Sequence, residues 1–331
     1  MLVRDLGEFQ LIDLLAGAAG VRGDPAARGD LVLSIGDDAA AWRGSDDTTV
    51  LTTDTMVEGV HFSLEWTGWE DLGWKAVATN QSDIAAMGCS PMYAVVSLGL
   101  RGDLPVDGLV EMYRGMAAAC TANGGAVVGG DVVRSPAFFV TVAMIGSAEG
   151  DEPLLRRDKA RPGDIVAVTG TLGSSAGGFQ VMRDGLAPDG EAEIHLRSAH
   201  NRPVPRIREG RALRTLGVTA AMDISDGLVD DLGKLSVASG VGADLYAENI
   251  PVDDLLKRSF PEDWLTLALS GGEDYELAFA APAKIVEEVQ KALDTKVTPI
   301  GQVREGKGIR ILDADGNEMP VNHGGWDHFS Q

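Results

Sequence analysis

From residue 31 onward, apolar runs of strand length alternate with longer segments whose apolar residues fall at helical spacing, and glycine or proline closes most of them. A chain patterned this way folds into layers of helix on sheet, α/β or α+β, not into a helical bundle or an all-β sandwich. In the first half, residues 31–35, 50–53, 92–100, 126–128 and 137–147 read as strands, and residues 70–87 and 106–121 as helices. Leu72, Ala76, Val77, Ile84 and Met87 form one stripe of the first helix, which Gly88 and Pro91 stop; Asn123-Gly124-Gly125 closes the second. In the second half, strands are expected at 165–168, 219–222, 243–247 and 275–280, with two more near the C-terminus. Helices are expected after the glycine-rich turn at 170–178 and at 206–216, 228–239 and 283–293. The stretch 149–164 is polar and broken by Pro153 and Pro162, and 331 residues exceed one simple core. Two domains follow, 1–150 and 151–331.

Acidic residues recur where these apolar runs stop, beside Gly, Ser or Thr: Gly36-Asp37-Asp38, Thr52-Thr53-Asp54, Gly129-Gly130-Asp131, Asp223-Ile224-Ser225-Asp226-Gly227 and Gly271-Gly272-Glu273-Asp274. Ligand sites of α/β folds lie at strand ends, and glycine there lets backbone approach a ligand. Asp83 adds a carboxylate in mid-helix, beside the apolar stripe, where aspartate is a poor helix former. One Asp-Gly pair is an ordinary turn; five clusters and a helical aspartate are a pattern. Carboxylates that converge repel one another unless cations lie between them. An all-oxygen set with few His or Cys favours Mg²⁺ over Zn²⁺, and Mg²⁺ with few protein ligands usually also binds phosphate.

The remaining composition narrows the function by exclusion. Fifty Asp and Glu against 28 Lys and Arg give a formal charge of −22, which repels nucleic acid and anionic lipid. Cys89 and Cys120 are the only cysteines, so neither a disulfide framework nor a CxxC metal knuckle is expected. The N-terminus lacks the apolar core of a signal peptide, and the apolar stretch near 138–145 is too short to span a bilayer, so the cytoplasm is the expected location. There is no GxxxxGK[ST] loop and no protein-kinase motif set. The turn Gly170-Thr171-Leu172-Gly173-Ser174-Ser175 opens a helix and has the form of an anion cradle, but it lacks the GxGxxG pattern, and close helix–strand packing is its expected role. Asp313-Ala314-Asp315-Gly316 reads as a hairpin turn.

These residues carry a family resemblance. GEFQLI (7–12), IGDDAA (35–40), TTDTMVEGVHF (52–62), GWKAVATNQSDIAAMG (73–88), GGDVVRSP (129–136), LLRRDKARPGD (154–164), MDISDGL (222–228), LSGGEDYEL (269–277) and WDHF (326–329) occur in order along nearly the whole chain. Together they resemble the bacterial thiamine-monophosphate kinases, within the larger group of aminoimidazole ribonucleotide synthetase and selenophosphate synthetase. The resemblance implies a two-domain aminoimidazole ribonucleotide synthetase-like fold, a homodimer paired through its N-terminal halves, and transfer of phosphate from ATP to thiamine monophosphate. It implies nucleotide held in a cleft involving both halves of the chain. It implies metal ligands at Asp38, Thr52, Thr53, Asp54, Asp83, Asp131, Asp223 and Asp226; ATP contacts at Tyr113, Gly130, Asp131, Arg157 and Ser225; and substrate contacts at His61, Glu273 and Trp326. Val132 and Ser174 depart from the family pattern, where Thr and Asp are frequent. Because the acceptor is an ionised phosphate oxygen, direct in-line transfer is expected, with no phosphoenzyme, nucleophile or general base. Within the group, a selenophosphate synthetase needs a reactive residue near its N-terminus, and a hydrogenase-maturation relative a terminal Cys; this chain has neither. An aminoimidazole ribonucleotide synthetase is the nearest enzymatic rival, and a non-catalytic cation- or nucleotide-binding module is the rival from another class.

Overall fold

A computed structural model describes residues 1–5, 8–20, 31–33, 41–44 and 46–320. The contacts divide the chain into two units, Met1–Ile84 with Ser90–Gly150, and Ala85–Cys89 with Asp151–Gln331. Of the residues singled out above, Asp37, Asp38 and Trp326 lie outside the described residues.

The first unit runs α1 (Glu8–Ala18), β1 (Leu31–Leu33), β2 (Ala41–Trp42), β3 (Thr48–Val57), α2 (Trp69–Ala86), β4 (Ser90–Leu100), α3 (Val106–Asn123), β5 (Val127–Arg134) and β6 (Phe139–Ala148). Strands β1 and β2 form a small pair, and the main sheet has the order β3-β6-β4-β5, with only β4 and β5 parallel. Successive side chains of a strand face opposite sides. Met56, Val96, Leu98, Val140, Val142 and Met144 are buried on one side, whereas Leu51, Val95 and Val133 on the other are 74%, 42% and 46% exposed. Helices α2 and α3 cross through glycine. A Cβ on Gly73 would lie 1.8 Å from the Met112 carbonyl oxygen, and one on Gly115 1.9 Å from that of Glu70. Two bare backbones therefore meet where any side chain would force the helices apart.

The second unit runs β7 (Ile165–Thr169), α4 (Ser174–Asp184), α5 (Gly190–Asn201), α6 (Ile207–Thr215), β8 (Ala220–Asp223), α7 (Leu228–Ser239), β9 (Gly242–Tyr246), α8 (Asp254–Ser259), α9 (Trp264–Ser270), β10 (Leu277–Ala281), α10 (Ala283–Ala292), β11 (Val297–Arg304), β12 (Gly308–Leu312) and β13 (Glu318–Met319). The sheet order is β13-β12-β9-β11-β7-β10-β8, antiparallel except for β12 beside β9. Both faces are covered. Val166, Val168, Ala278 and Ala280 pack with Leu228, Leu232 and Leu235 of α7, while Ala167, Leu277 and Phe279 pack with Leu213 of α6 and Val286 and Val289 of α10. A strand buried on both faces reads as an unbroken apolar run, which is how β7 and β10 appear in the sequence.

Helices and strands mix in both units, as the alternation predicts, but several expectations need correction. Asp54 and Asp131 lie inside β3 and β5, not at strand ends. The Gly129-Gly130 pair is no terminator. A Cβ on Gly130 would lie 2.0 Å from the Val96 carbonyl oxygen, so glycine serves close approach to the neighbouring strand. Gly271–Asp274 follows a helix, α9, and the strand after it starts at Leu277 because Glu273 and Tyr275 adopt left-handed backbone, φ 66° and 52°. Asp83 sits in the last turn of α2, not in mid-helix. Helices α5, α8 and α9 were not anticipated, and three terminal strands stand where two were expected. The short helices α8 and α9 carry too few residues for a helical period to show. Asp313 does build the turn between β12 and β13, accepting hydrogen bonds from the Asp315 and Asn317 amides at 3.0 and 2.8 Å.

Candidate active site

In the first unit, strand β3 and the end of α2 bring two carboxylates together. Thr52 and Asp54, alternate residues of β3, share a face. The Thr52 hydroxyl donates to Asp83 Oδ2, and Asp54 is in hydrogen-bonding contact with the Asp83 carboxyl. Burial, and after it the neighbouring Asp83 charge and hydrogen bond, push the Asp54 carboxyl up to about 6. Two carboxyls in hydrogen-bonding contact hold a proton between them near neutrality when nothing else neutralises them. Asp83 also stands at the negative end of the α2 dipole, which disfavours an anion. Every electrostatic element here calls for a cation.

The other assigned residues of this unit are arranged differently. Thr53 turns to the opposite face and donates to the Val142 carbonyl, 3.0 Å away. Register places Asp131 beside Ser97, in the row that continues through Thr141 to Thr55; the adjacent row is Gly130, Val96, Val142 and Asp54. Adjacent rows face opposite sides, so Asp131 is not brought to the Asp54–Asp83 face. Tyr113 is buried on α3, 5% exposed, and burial pushes its hydroxyl pKa up. His61 is half-buried, and its Nδ1 accepts the Val57 amide at 3.1 Å, so a neutral ring carries its proton on Nε2.

The second unit packs two loops side by side. Asp223 ends β8, 2% exposed, and residues 224–227 follow. The Glu273 amide donates to the Ser225 carbonyl at 2.8 Å, the Tyr275 amide to Ile224 at 2.9 Å, and the Ile224 amide to Glu276 at 2.8 Å. Asp223, Ser225, Asp226 and Glu273 thereby come from adjoining backbone. Asp231, fully buried in the first turn of α7, fixes the loop: its Oδ2 accepts the amides of Ser225, Asp226 and Gly227 at 2.8, 2.9 and 3.2 Å. Lys234 bridges Asp231, at 2.6 Å, and Asp226. Arg157 lies in a short 3₁₀ turn with its side chain exposed and, among the described residues, in no ion pair.

The acidic segment 273–276 grips the glycine-rich turn. Asp274 accepts the amides of Gly173 and Ser175 at 2.7 and 3.2 Å, and burial pushes its carboxyl up to about 7 against those two bonds. The start of α4 is thus filled by the protein's own carboxyl, in keeping with a packing role. Glu276, 4% exposed, accepts from Thr169 at 2.6 Å and takes the Arg206 guanidinium through both oxygens. A Cβ on Gly170 would lie 1.9 Å from Glu276 Oε1, which explains glycine there. Sequence reasoning missed Asp231, Glu276 and Arg206, and it read Asp274 as part of a ligand-binding cluster where the structure gives it to the start of α4. An Asp in the first turn after an Asp-Gly loop was the one signal available for Asp231. Among the described residues, no group of three or more His, Cys, Asp or Glu is poised to hold a metal ion.

Comparison places this geometry. Residues 36–148 match the AIR synthase related protein N-terminal domain, and residues 161–313 match the AIR synthase related protein C-terminal domain. The protein is therefore a two-domain member of the AIR synthase related class. It is 36% identical to the thiamine-monophosphate kinase of Aquifex aeolicus, over 99% of this chain and 100% of that one. The crystal structure of thiamine-monophosphate kinase from Stenotrophomonas maltophilia K279a superposes with TM-score 0.82 at 35% identity, covering 95% of this chain and 98% of the other. That of AaThiL complexed with AMPPCP and TMP does so with TM-score 0.76 at 35% identity, covering 99% of each. The chain belongs to the thiamine-monophosphate kinase family.

Proposed function

We propose that this protein transfers the terminal phosphoryl group of ATP to thiamine monophosphate, giving ADP and thiamine diphosphate. The observation that carries the reading is full-length kinship with a kinase that holds an ATP analogue and thiamine monophosphate together. Direct transfer requires both reactants to be bound at once. The acceptor oxygen is ionised near neutral pH, so the residues must bring two anions together and need not remove a proton.

The residues fit magnesium. Asp54, Asp83 and the Thr52 hydroxyl form an all-oxygen set, and burial and, after it, the neighbouring Asp83 charge raise the Asp54 pKa, a penalty on the carboxylate that a divalent cation relieves. Asp38, Thr52, Thr53, Asp54, Asp83, Asp131, Asp223 and Asp226 are the residues assigned to hold it. When bound, the ion neutralises phosphate charge and aligns donor and acceptor. Asp226 is available to a metal only with Lys234 displaced. Tyr113, Gly130, Asp131, Arg157 and Ser225 are assigned to ATP. Arg157 offers a planar set of donors to phosphate, free of competition from an ion pair among the described residues. His61 offers its Nε2–H to the substrate, Glu273 a carboxylate to its cationic or polar part, and Trp326 an aromatic face to its rings.

In this reading domain 1–150 is the ATP- and metal-binding and dimerisation domain, and 151–331 completes the nucleotide and substrate site. The open, partly apolar face of the β3-β6-β4-β5 sheet supports a homodimer paired through it. Among the described residues, no helix is long and apolar enough to cross a membrane, in keeping with a cytoplasmic enzyme. A coupled ADP-release assay tests the reading: release is expected only when thiamine monophosphate is present with ATP and Mg²⁺. Release driven instead by an amide substrate would support the cyclising rival, and Mg-ATP binding with no release would support the binding module.

A further inference from the structure

The three acids of segment 273–276 do not have the same task. Asp274 and Glu276 are consumed by the fold, as described above. Glu273 keeps 30% of its side chain exposed, and its carboxylate meets one buried ring: Glu273 Oε2 lies 3.4 Å from His200 Nδ1. We infer that His200 is a positioning residue, which holds the Glu273 carboxylate in the orientation that receives the substrate. The inference rests on the assignment of Glu273 to thiamine monophosphate.

The ring is itself held in place. His200 stands at the end of α5, 5% exposed, with its ring 5.6 Å from that of Phe179 and inclined by 34°. Nδ1 also lies 3.1 Å from Ser175 Oγ, and the Ser175 amide donates to Asp274. Helix α5 reaches this place because α4 is bare where the two meet: a Cβ on Gly178 would lie 2.0 Å from the Leu196 carbonyl oxygen. The Glu273 backbone is fixed as well, in left-handed conformation with its amide on Ser225. With backbone pinned and carboxylate tethered, a side chain that otherwise has several rotamers approaches one.

The set Ser175, His200 and Glu273 has the composition of a nucleophilic triad but not its wiring. A triad uses one ring nitrogen to take the serine proton and the other to meet the carboxylate. Here serine and glutamate converge on the same nitrogen, and Ser175 is 1% exposed. The arrangement serves orientation in the tautomer that carries the proton on Nδ1, where one donor faces both oxygens.

His200→Phe keeps the ring and its contact with Phe179 but removes the donor; His200→Asn returns an amide donor near the position of Nδ1. His200→Phe is expected to raise KM for thiamine monophosphate about tenfold, the effect of losing one charge-assisted hydrogen bond, with KM for ATP and kcat changed less than about twofold. His200→Asn is expected to recover most of that loss. In a Glu273→Gln background, His200→Phe is expected to add little further. An unchanged KM for thiamine monophosphate, equal rises in both KM values, or full additivity with Glu273→Gln overturns the inference. If His200→Phe does not fold, His200→Leu, which likewise lacks the donor, takes its place in the same cycle and is decided by the same criterion. Glu273→Gln alone tests the underlying assignment: no change in KM there defeats that assignment, whereas a change there with none in His200→Phe defeats only the role of His200.

Discussion

Asp54 of β3 and Asp83 in the last turn of α2 stand in hydrogen-bonding contact, with the Thr52 hydroxyl on Asp83 and the Asp54 carboxyl pushed up to about 6. A fold that buries two like charges together loses stability unless a ligand binds between them. Asp54→Asn supplies an amide donor to Asp83 and removes one charge. It is expected to lower kcat/KM by about a hundredfold or more while raising the melting temperature of the metal-free protein at pH 7.5 by about 2–4 °C. Mg²⁺ is expected to stabilise the native sequence and not this variant. Steady-state kinetics and thermal melts with and without Mg²⁺ check all three.

The same groups set a pH dependence. Asp54 and Asp274 are raised to about 6 and about 7 in the folded protein, above the ordinary carboxyl value of about 3.9 in the unfolded chain. Over that interval the folded state binds more protons, so their stabilising contribution is complete below about pH 4 and is lost as pH rises through about 6 and about 7. Denaturant midpoints of the metal-free protein are expected to fall from pH 4.5 to pH 7.5 from this contribution. Asp54→Asn with Asp274→Asn is expected to flatten that fall.

Asp231 carries the 225–227 loop on one oxygen and Lys234 on the other. Asp231→Ala leaves three amides without their acceptor and is expected to cost about 3 kcal/mol and to raise KM for ATP. Chemical denaturation and nucleotide titration measure the two effects; an unchanged midpoint would show that the loop does not depend on Asp231.

Gly115→Ala places a methyl where the Glu70 carbonyl oxygen lies. About 1–3 kcal/mol of destabilisation is expected from forcing α2 and α3 apart, read as a lowered melting temperature. Gly20→Ala is not an equivalent control, because Gly20 has a positive φ; Gly17, which has open space around its Cβ position, is the appropriate control.

The alternation of apolar runs and helical stripes gave the layered class and most elements, because core-facing periodicity is local. Helix α7 begins and ends at the predicted residues, Leu228 and Ser239, since glycine closes it on both sides. What local pattern did not carry was the use of glycine and acid in three dimensions. Gly130 looks like a strand end and is a close approach between strands; Asp274 looks like a ligand-binding acid and caps α4. Helix α5 was missed, and with it His200, because its buried stripe of Ala192, Leu196 and His200 holds one large apolar residue, while Ile194 lies exposed on another face. The pairing of Asp54 with Asp83 was within reach of motif reasoning, whereas the opposite facing of Asp131 depends on sheet register, which no single motif contains.

The central claim is passage of one phosphoryl group from nucleotide to thiamine monophosphate and not to water. ATP labelled with ¹⁸O in its terminal phosphoryl group, incubated with the protein, Mg²⁺ and thiamine monophosphate, tests it by mass spectrometry of the products. The account predicts thiamine diphosphate carrying the label in its terminal phosphoryl group, in step with ADP. Labelled inorganic phosphate appearing with ADP, with no labelled thiamine diphosphate, would contradict it.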